Sequence, residues 1–234
     1  MTIAVALVLV LVGQDRSFDS VRLAVYLPQD KFDKAAEKIT LPAKEALDAI
    51  AAKSENHKKA VALIADRKTW AAGLKRIEEK LGLFNEAPKI EVKVEDSDDP
   101  KPGRAGGEGG NGAIKLNVRQ WLGVYQKIEE FEKAKSYGKD PKWRVPPAKL
   151  DALVHHELVH CFVPTSDENW WTEGIASWVA ADESIVWAFV NDKRTVGPLD
   201  QMVTEDDAYG RGWAFIEWVR SLGEEKWKGF LKTV

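Results

Sequence analysis

The sequence has almost no cysteine, no excess of charge of one sign and no long apolar segment, and each absence narrows what the protein can be. A single cysteine, Cys161, excludes an internal disulfide framework but leaves the cellular compartment open. Lys and Arg number 34 against 37 Asp and Glu, so a net charge of −3 offers no basic surface for nucleic acid. The apolar run at residues 3–12 is too short to form a stable membrane span. We therefore expect a soluble protein that does not bind nucleic acid.

Residues 1–16 have the pattern of a secretory signal peptide. The unbroken apolar run at residues 3–12 has the length of a signal h-region, and the polar residues 14–16 follow it almost at once. No Lys or Arg precedes this run, and the sequence after it is a poor small-residue cleavage site, so a buried strand is the alternative. The signal peptide predicts a secreted or periplasmic protein, whereas the buried strand leaves a cytoplasmic one open.

The remaining pattern predicts an α+β fold, with strands crowded into the first half of the chain and helices into the second. We expect one domain over residues 17–234, divided into a strand-rich half at 17–120 and a helical half at 121–234. Residues 95–112, acidic and then glycine-rich, are predicted to form a flexible surface loop. The predicted strands are 21–27, 90–94 and 113–118, and the predicted helical segments are 31–83, 121–135, 148–161, 171–190 and 209–231.

The densest concentration of metal-binding residue types is the segment HHELVH at residues 155–160, which holds three of the four histidines. His156 and His160 are four residues apart, so on a helix both imidazoles project from one face and can reach one ion. Glu157 is offset by one residue, which lets its carboxylate face a metal-bound water without ligating the metal. A chance H-E-x-x-H is expected in fewer than roughly one such chain in a hundred.

A third protein ligand is needed for a catalytic zinc site, and the segment WWTEGIA at residues 170–176 offers Glu173. Twelve residues separate His160 from Glu173, enough for one helix to end and another to begin. The small residues Gly174 and Ala176 would allow two helices to approach closely around an ion. The tryptophans of this segment would wall the site from water, although core packing is the simpler explanation.

The other two histidines are predicted to be bystanders. His155 points about a hundred degrees away from His156, which favours a helix-surface or supporting residue over a ligand. His57 lies in the Lys-rich stretch 53–59, which is typical of a solvated surface.

The combination of H-E-x-x-H with W-x-E-G-x-A resembles the gluzincin zinc metallopeptidases, the His-His-Glu branch of the zincins. The matching residues are His156, Glu157, His160, Trp171, Glu173, Gly174 and Ala176. The resemblance implies a zincin-like fold, in which a sheet edge strand binds an extended substrate above the active-site helix. The short gap between the last histidine and the glutamate resembles the compact bacterial peptidase-like domains of this group.

The resemblance also implies a mechanism and roles for its residues. One zinc ion per chain would be held by His156, His160 and Glu173, and a metal-activated water would hydrolyse the amide bond of a peptide or protein substrate. Glu157 would act as general base. By analogy with the compact domains, Tyr209 would donate a hydrogen bond to the developing oxyanion, and a packing role for this tyrosine is the alternative.

The sequence departs from the family pattern in two places, and two competing functions stay open. No G-x-M-E-N segment is found, and position 177 is Ser where thermolysin-like enzymes have the Asp that orients a histidine ligand. One alternative is a catalytically inactive zincin-like module with a binding or structural role, against which the intact Glu157 argues. The other is a metal-free structural protein, against which the joint occurrence of the two motifs argues.

Overall fold

The structure is a computed structural model that describes residues 28–82, 89–98, 107–110, 112–136, 150–163, 169–180 and 205–231. These residues form a mostly helical protein with one small sheet, which confirms the α+β class. The proposed signal peptide and the predicted strand at 21–27 lie outside the described residues. The described elements are α1 (Gln29–Ala36), α2 (Lys44–Ala51), α3 (Glu55–Ala65), α4 (Arg67–Leu81), β1 (Glu91–Glu95), β2 (Gly107–Gly110), β3 (Ala113–Asn117), α5 (Val118–Ser136), α6 (Leu150–Val159), α7 (Asn169–Ala180), α8 (Glu205–Ser221) and α9 (Glu224–Leu231).

The helical pattern predicted for residues 31–83 is confirmed, but it is divided into four helices, and side-chain caps mark the starts of α3 and α4. The Ser54 hydroxyl accepts a hydrogen bond from the backbone N–H of His57 at the start of α3. The Asp66 side chain likewise accepts from the backbone N–H of Lys68 at the start of α4. Gly82, with a φ of 65°, ends α4 in the left-handed conformation that glycine adopts without steric cost. These caps fold the segment back on itself, so that α4 packs against α1.

The sheet has three strands in the order β1-β3-β2 and mixed direction. β1 and β3 are parallel, with Glu91 opposite Ala113 and Glu95 opposite Asn117. This pairing confirms the strands predicted at 90–94 and 113–118. Alternate residues on both strands are buried, as expected for a sheet with one face against a core.

The prediction of a loop throughout residues 95–112 is wrong, because Gly107–Gly110 form the edge strand β2. β2 runs antiparallel to β3, with Gly110 opposite Ala113, so only two residues connect the strands. The second of these, Gly112, has a φ of 75°, and a Cβ there would lie 2.7 Å from the Lys89 carbonyl oxygen. The Asn-Gly pair at 111–112 is the sequence pattern of such a tight hairpin, and it outweighs the low strand propensity of the glycines.

The helices predicted in the second half are present within the described residues, with one correction, and residues 181–190 of the helix predicted at 171–190 lie outside them. The segment 209–231, predicted as one helix, contains two, because Gly223 adopts a φ of 106° between α8 and α9. Buried apolar residues of the described helices and strands form one continuous core, which includes the fully buried Trp70, Trp121 and Trp178. No described helix combines the length and the apolar character needed to cross a membrane.

Candidate metal centre

Helix α6 carries polar side chains into the interior of the protein. Every residue from Ala152 to His160 is buried, because the helix is apolar on almost all sides and packs against α4, α7 and β2. Within this run His156, Glu157 and His160 are only 8%, 6% and 7% exposed. Polar groups buried to this extent need polar or metal partners to offset the loss of hydration.

Glu173 on α7 meets both histidines. Its Oε2 atom lies 3.0 Å from His156 Nε2 and 3.7 Å from His160 Nε2. The two imidazole rings lie with their centroids 5.0 Å apart and their planes at 77°. One donor atom from each of the three residues falls within 4.8 Å of the other two. The structure thus brings together the three residues that the sequence nominated as ligands, from two different helices.

Glu173 is the anionic member of this cluster. Burial on its own would raise the pKa of Glu173, but hydrogen bonds and charge interactions with His156 and His160 outweigh burial and hold that pKa well below its ordinary range. The carboxylate is therefore ionised, and it is held beside two nitrogen donors.

The spacing of the donor atoms also suits a small metal ion. Donors around a tetrahedral ion with bonds of about 2.0–2.2 Å lie about 3.3–3.6 Å apart, and the two observed separations of 3.0 and 3.7 Å bracket this value. The cluster of His156, His160 and Glu173 can accordingly hold a metal ion.

Glycine next to the carboxylate allows α7 to approach its other neighbour, α8. A Cβ at Gly174 would lie 2.5 Å from the carbonyl carbon of Gly212 and 2.6 Å from its Cα, distances too short for any side chain. The sequence predicts that Gly174 and Ala176 allow two helices to approach closely around an ion. At Gly174 the close neighbour is α8, which does not carry a ligand. Trp171 packs edge-to-face on Phe230 of α9 with 5.2 Å between ring centroids, which agrees with the core-packing explanation.

The two residues predicted to act on substrate differ in what the structure describes. Glu157 is buried on α6 between the two histidines in sequence, but it does not belong to the converging donor group. Glu157 is therefore not taken up as a ligand of this group, and its role as general base stays a prediction. The backbone of Tyr209 belongs to α8, whereas its side chain lies outside the described part of the structure, so its role stays a prediction.

His155 lies outside the converging donor group, and the helix-surface position, one of the two that the sequence left open for it, is wrong. Its side chain is 2% exposed, and Nε2–H donates a hydrogen bond to the Thr69 carbonyl on α4 at 2.9 Å. Burial lowers the pKa of His155, which favours the neutral imidazole. No sequence pattern marks Thr69, because its contribution is a backbone carbonyl.

His57 is also buried, which contradicts its predicted place on a solvated surface. It is 8% exposed, its Nδ1 lies 2.7 Å from Ser54 Oγ, and its Nε2 lies 3.4 Å from Asp96 Oδ1. The Asp96 side chain is only 1% exposed and also pairs with Lys53 and Arg119. The Lys-rich stretch is solvated on one face only, and its other face covers this carboxylate.

Ser177, at the position where thermolysin-like enzymes have Asp, does not support a histidine ligand among the described residues. The side chain is fully buried, and its hydroxyl oxygen has no hydrogen-bond partner within the described part of the chain. Other contacts must therefore hold α6 and α7, the helices of the candidate ligands, in position.

The chain matches no protein-family model, and comparisons with curated proteins and with solved structures found no match. The resemblance to gluzincins consequently depends on the motif residues and on the geometry of the site.

Proposed function

We propose that the protein is a zinc-dependent peptidase of the gluzincin type with a zincin-like fold. The observation that carries this proposal is the convergence of donor atoms of His156, His160 and Glu173, together with the burial of Glu157, the residue that follows His156. Two imidazoles and one carboxylate form the ligand set of thermolysin-type catalytic zinc sites, which keep a fourth position open for water or substrate. A closed structural site would have no need of Glu157, a buried carboxylate next to His156 in sequence.

The residues of the chain divide the chemistry among them. Zinc, when bound, would supply a Lewis acid and lower the pKa of water toward about 7. His156 and His160 would present unprotonated Nε2 atoms, with the ring proton on Nδ1, and Glu173 would contribute an ionised carboxylate. Glu157 would take a proton from the water that attacks the scissile carbonyl and pass it to the leaving amine. Tyr209 is the proposed hydrogen-bond donor to the oxyanion.

The sheet supports an extended peptide as substrate. β2 pairs with β3 on one side, and within the described residues no strand pairs with its other side. α6, which contains His156 and ends directly before His160, lies against β2. An extended peptide can add to such an edge through backbone hydrogen bonds, and this arrangement would bring its amide bonds close to the metal helices.

The metal is the first thing to test. Protein purified without chelators should contain about one zinc per chain, and a His160→Ala variant should contain none. His57→Ala is the matched control, because His57 is equally buried but lies outside the cluster, and it should retain the zinc. A wild-type protein that holds no zinc, even after zinc is added, would refute the proposal.

Catalysis is tested separately with Glu157→Gln. This variant keeps the shape of the side chain but cannot accept a proton, so we expect full zinc content and a loss of peptide hydrolysis on the order of 10²–10⁴-fold. Hydrolysis of a peptide library by the wild type, measured beside the variant, decides the matter. Equal activity in both proteins would rule out the mechanism, and zinc without activity in either would favour a binding module.

A further inference from the structure

A stripe of four residues along α4 contacts both helices that carry the metal ligands. Thr69, Gly73, Arg76 and Lys80 are spaced by four, three and four residues, so they share one face of the helix. α4 packs against α6 and also against α7. We call these four residues the α4 stripe.

The first half of the α4 stripe holds α6. The Thr69 carbonyl accepts the hydrogen bond from His155 Nε2 at 2.9 Å. One turn later, a Cβ at Gly73 would lie 2.7 Å from His155 Cδ2 and 2.8 Å from Leu158 Cδ2. The imidazole therefore lies directly on the backbone of α4, in a space that only glycine leaves open.

The second half of the α4 stripe holds α7. Arg76 Nη1 donates to the Ala180 carbonyl at 3.4 Å, and Lys80 Nζ donates to the Trp178 carbonyl. The Lys80 ammonium also lies 4.3 Å from the centre of the Trp178 ring. Both cations therefore donate to backbone carbonyls of α7.

We propose that the α4 stripe is the positioning device of the metal centre and that His155 is its principal positioning residue. His155 directly precedes the ligand His156 on α6, so holding the first ring against α4 fixes the rotation of α6 and with it the Cα–Cβ direction of His156, about 100° around the helix. Since a carbonyl can only accept, the hydrogen bond to Thr69 holds His155 in one orientation. The contacts to α7 hold the helix that carries Glu173. This inference rests on the metal site of the proposed function.

The experiment measures zinc affinity by competition with a chromophoric chelator, using zinc chloride and the full chain. His155→Phe keeps a buried ring but removes the donor, so we expect about a tenfold weaker zinc affinity, in the range found for residues that orient ligands. His155→Gln keeps a donor near Thr69 and should recover most of that loss. The cobalt-substituted protein should show a changed visible absorption spectrum in the Phe variant, because that spectrum reports the coordination geometry.

If His155 has only a structural role, His155→Phe should lower stability without changing zinc affinity. A control variant shows what a loss of stability alone does to zinc binding. Leu47→Ala removes buried apolar atoms on α2, which packs against α3 and away from the metal helices, so it should lower thermal stability without changing zinc affinity. All affinities are compared at a temperature where circular dichroism shows each protein to be folded. Unchanged zinc affinity and an unchanged cobalt spectrum in His155→Phe would overturn the inference.

A second variant is available if His155→Phe does not fold. Gly73→Ala then takes its place, because its added methyl group displaces the His155 ring while every polar group remains. Wild-type zinc affinity in that variant would overturn the inference. A wild type that binds no zinc removes both this inference and the proposed function. A wild type that binds zinc without hydrolysing peptides removes only the proposed catalysis.

Discussion

The contact between α7 and α8 beside Glu173 leads to the sharpest prediction, which concerns Gly174→Ala. The added Cβ would lie 2.5 and 2.6 Å from two backbone atoms of Gly212 and 3.0 Å from the Trp213 nitrogen. Backbone atoms cannot rotate away as a flexible side chain can. Since ordinary contacts begin at 3.4 Å, the helices would have to separate by about 3.4 − 2.5 = 0.9 Å.

Two opposing effects set the size of the change in stability. Overpacking of a core contact costs about 1–3 kcal/mol, whereas replacing glycine by alanine inside a helix gains about 0.5–1 kcal/mol. We expect the first to win because both close contacts are to backbone, which leaves a net loss of about 1–2 kcal/mol. For a chain of this size that loss lowers Tm by about 2–8 °C. The shift of Glu173 should also weaken zinc binding.

The matched control is Gly123→Ala, the same substitution on an exposed face of α5. Nothing lies within 4 Å of a Cβ there, so only the helix gain remains, and Tm should rise by about 1–4 °C. Thermal unfolding followed by circular dichroism measures both variants in one experiment. An increase in Tm for Gly174→Ala as large as that of the control would show that the close approach of α7 and α8 does not constrain this position.

Three other predictions concern charge and metal. Burial alone would raise the pKa of Asp96, but hydrogen bonds from Lys53 and Arg119 outweigh it and lower the pKa to about 2. The free energy of unfolding that the ionised carboxylate contributes is complete above about pH 4 and is lost as the pH falls toward 2. Urea unfolding across that range checks this, and Asp96→Asn should lower stability by about 1–3 kcal/mol at neutral pH and remove that part of the pH dependence. Arg67 donates through Nη1 to two backbone carbonyls, at 2.7 and 2.6 Å, so Arg67→Met should cost about 1–3 kcal/mol in the same assay, and no loss would mean that solvent replaces both bonds. Zinc at a hundred times its Kd should stabilise the wild type by about 2.7 kcal/mol, with reversal by a chelator and no effect on Glu173→Ala.

Features that depend on short stretches of chain could be predicted from sequence. His156, Glu157 and His160 were nominated because helical spacing is a local property, and α6 has that spacing. The alternating residues of β1 and β3 predicted both strands for the same reason. Glu173 could be predicted as the third ligand because only a short connection separates its helix from His160. The W-x-E-G-x-A pattern around it also resembles a known ligand motif.

The tertiary structure decided the features that depend on partners distant in sequence. His155 was assigned a surface position as one option because its acceptor, the Thr69 carbonyl, lies 86 residues away and leaves no mark in the sequence. His57 was predicted to be solvated because Asp96, the buried carboxylate beneath it, belongs to a segment that is polar by composition.

The close approach of Gly174 to Gly212 could not be predicted either, because no sequence pattern indicates that two glycines far apart in the chain are in contact. Residue types and helical spacing are enough to name the residues that can ligate a metal and the helix face on which they lie. Only the packing of α4, α6, α7 and α8 decided that their donor atoms meet, because burial and helix separation are properties of the whole core and not of any one segment.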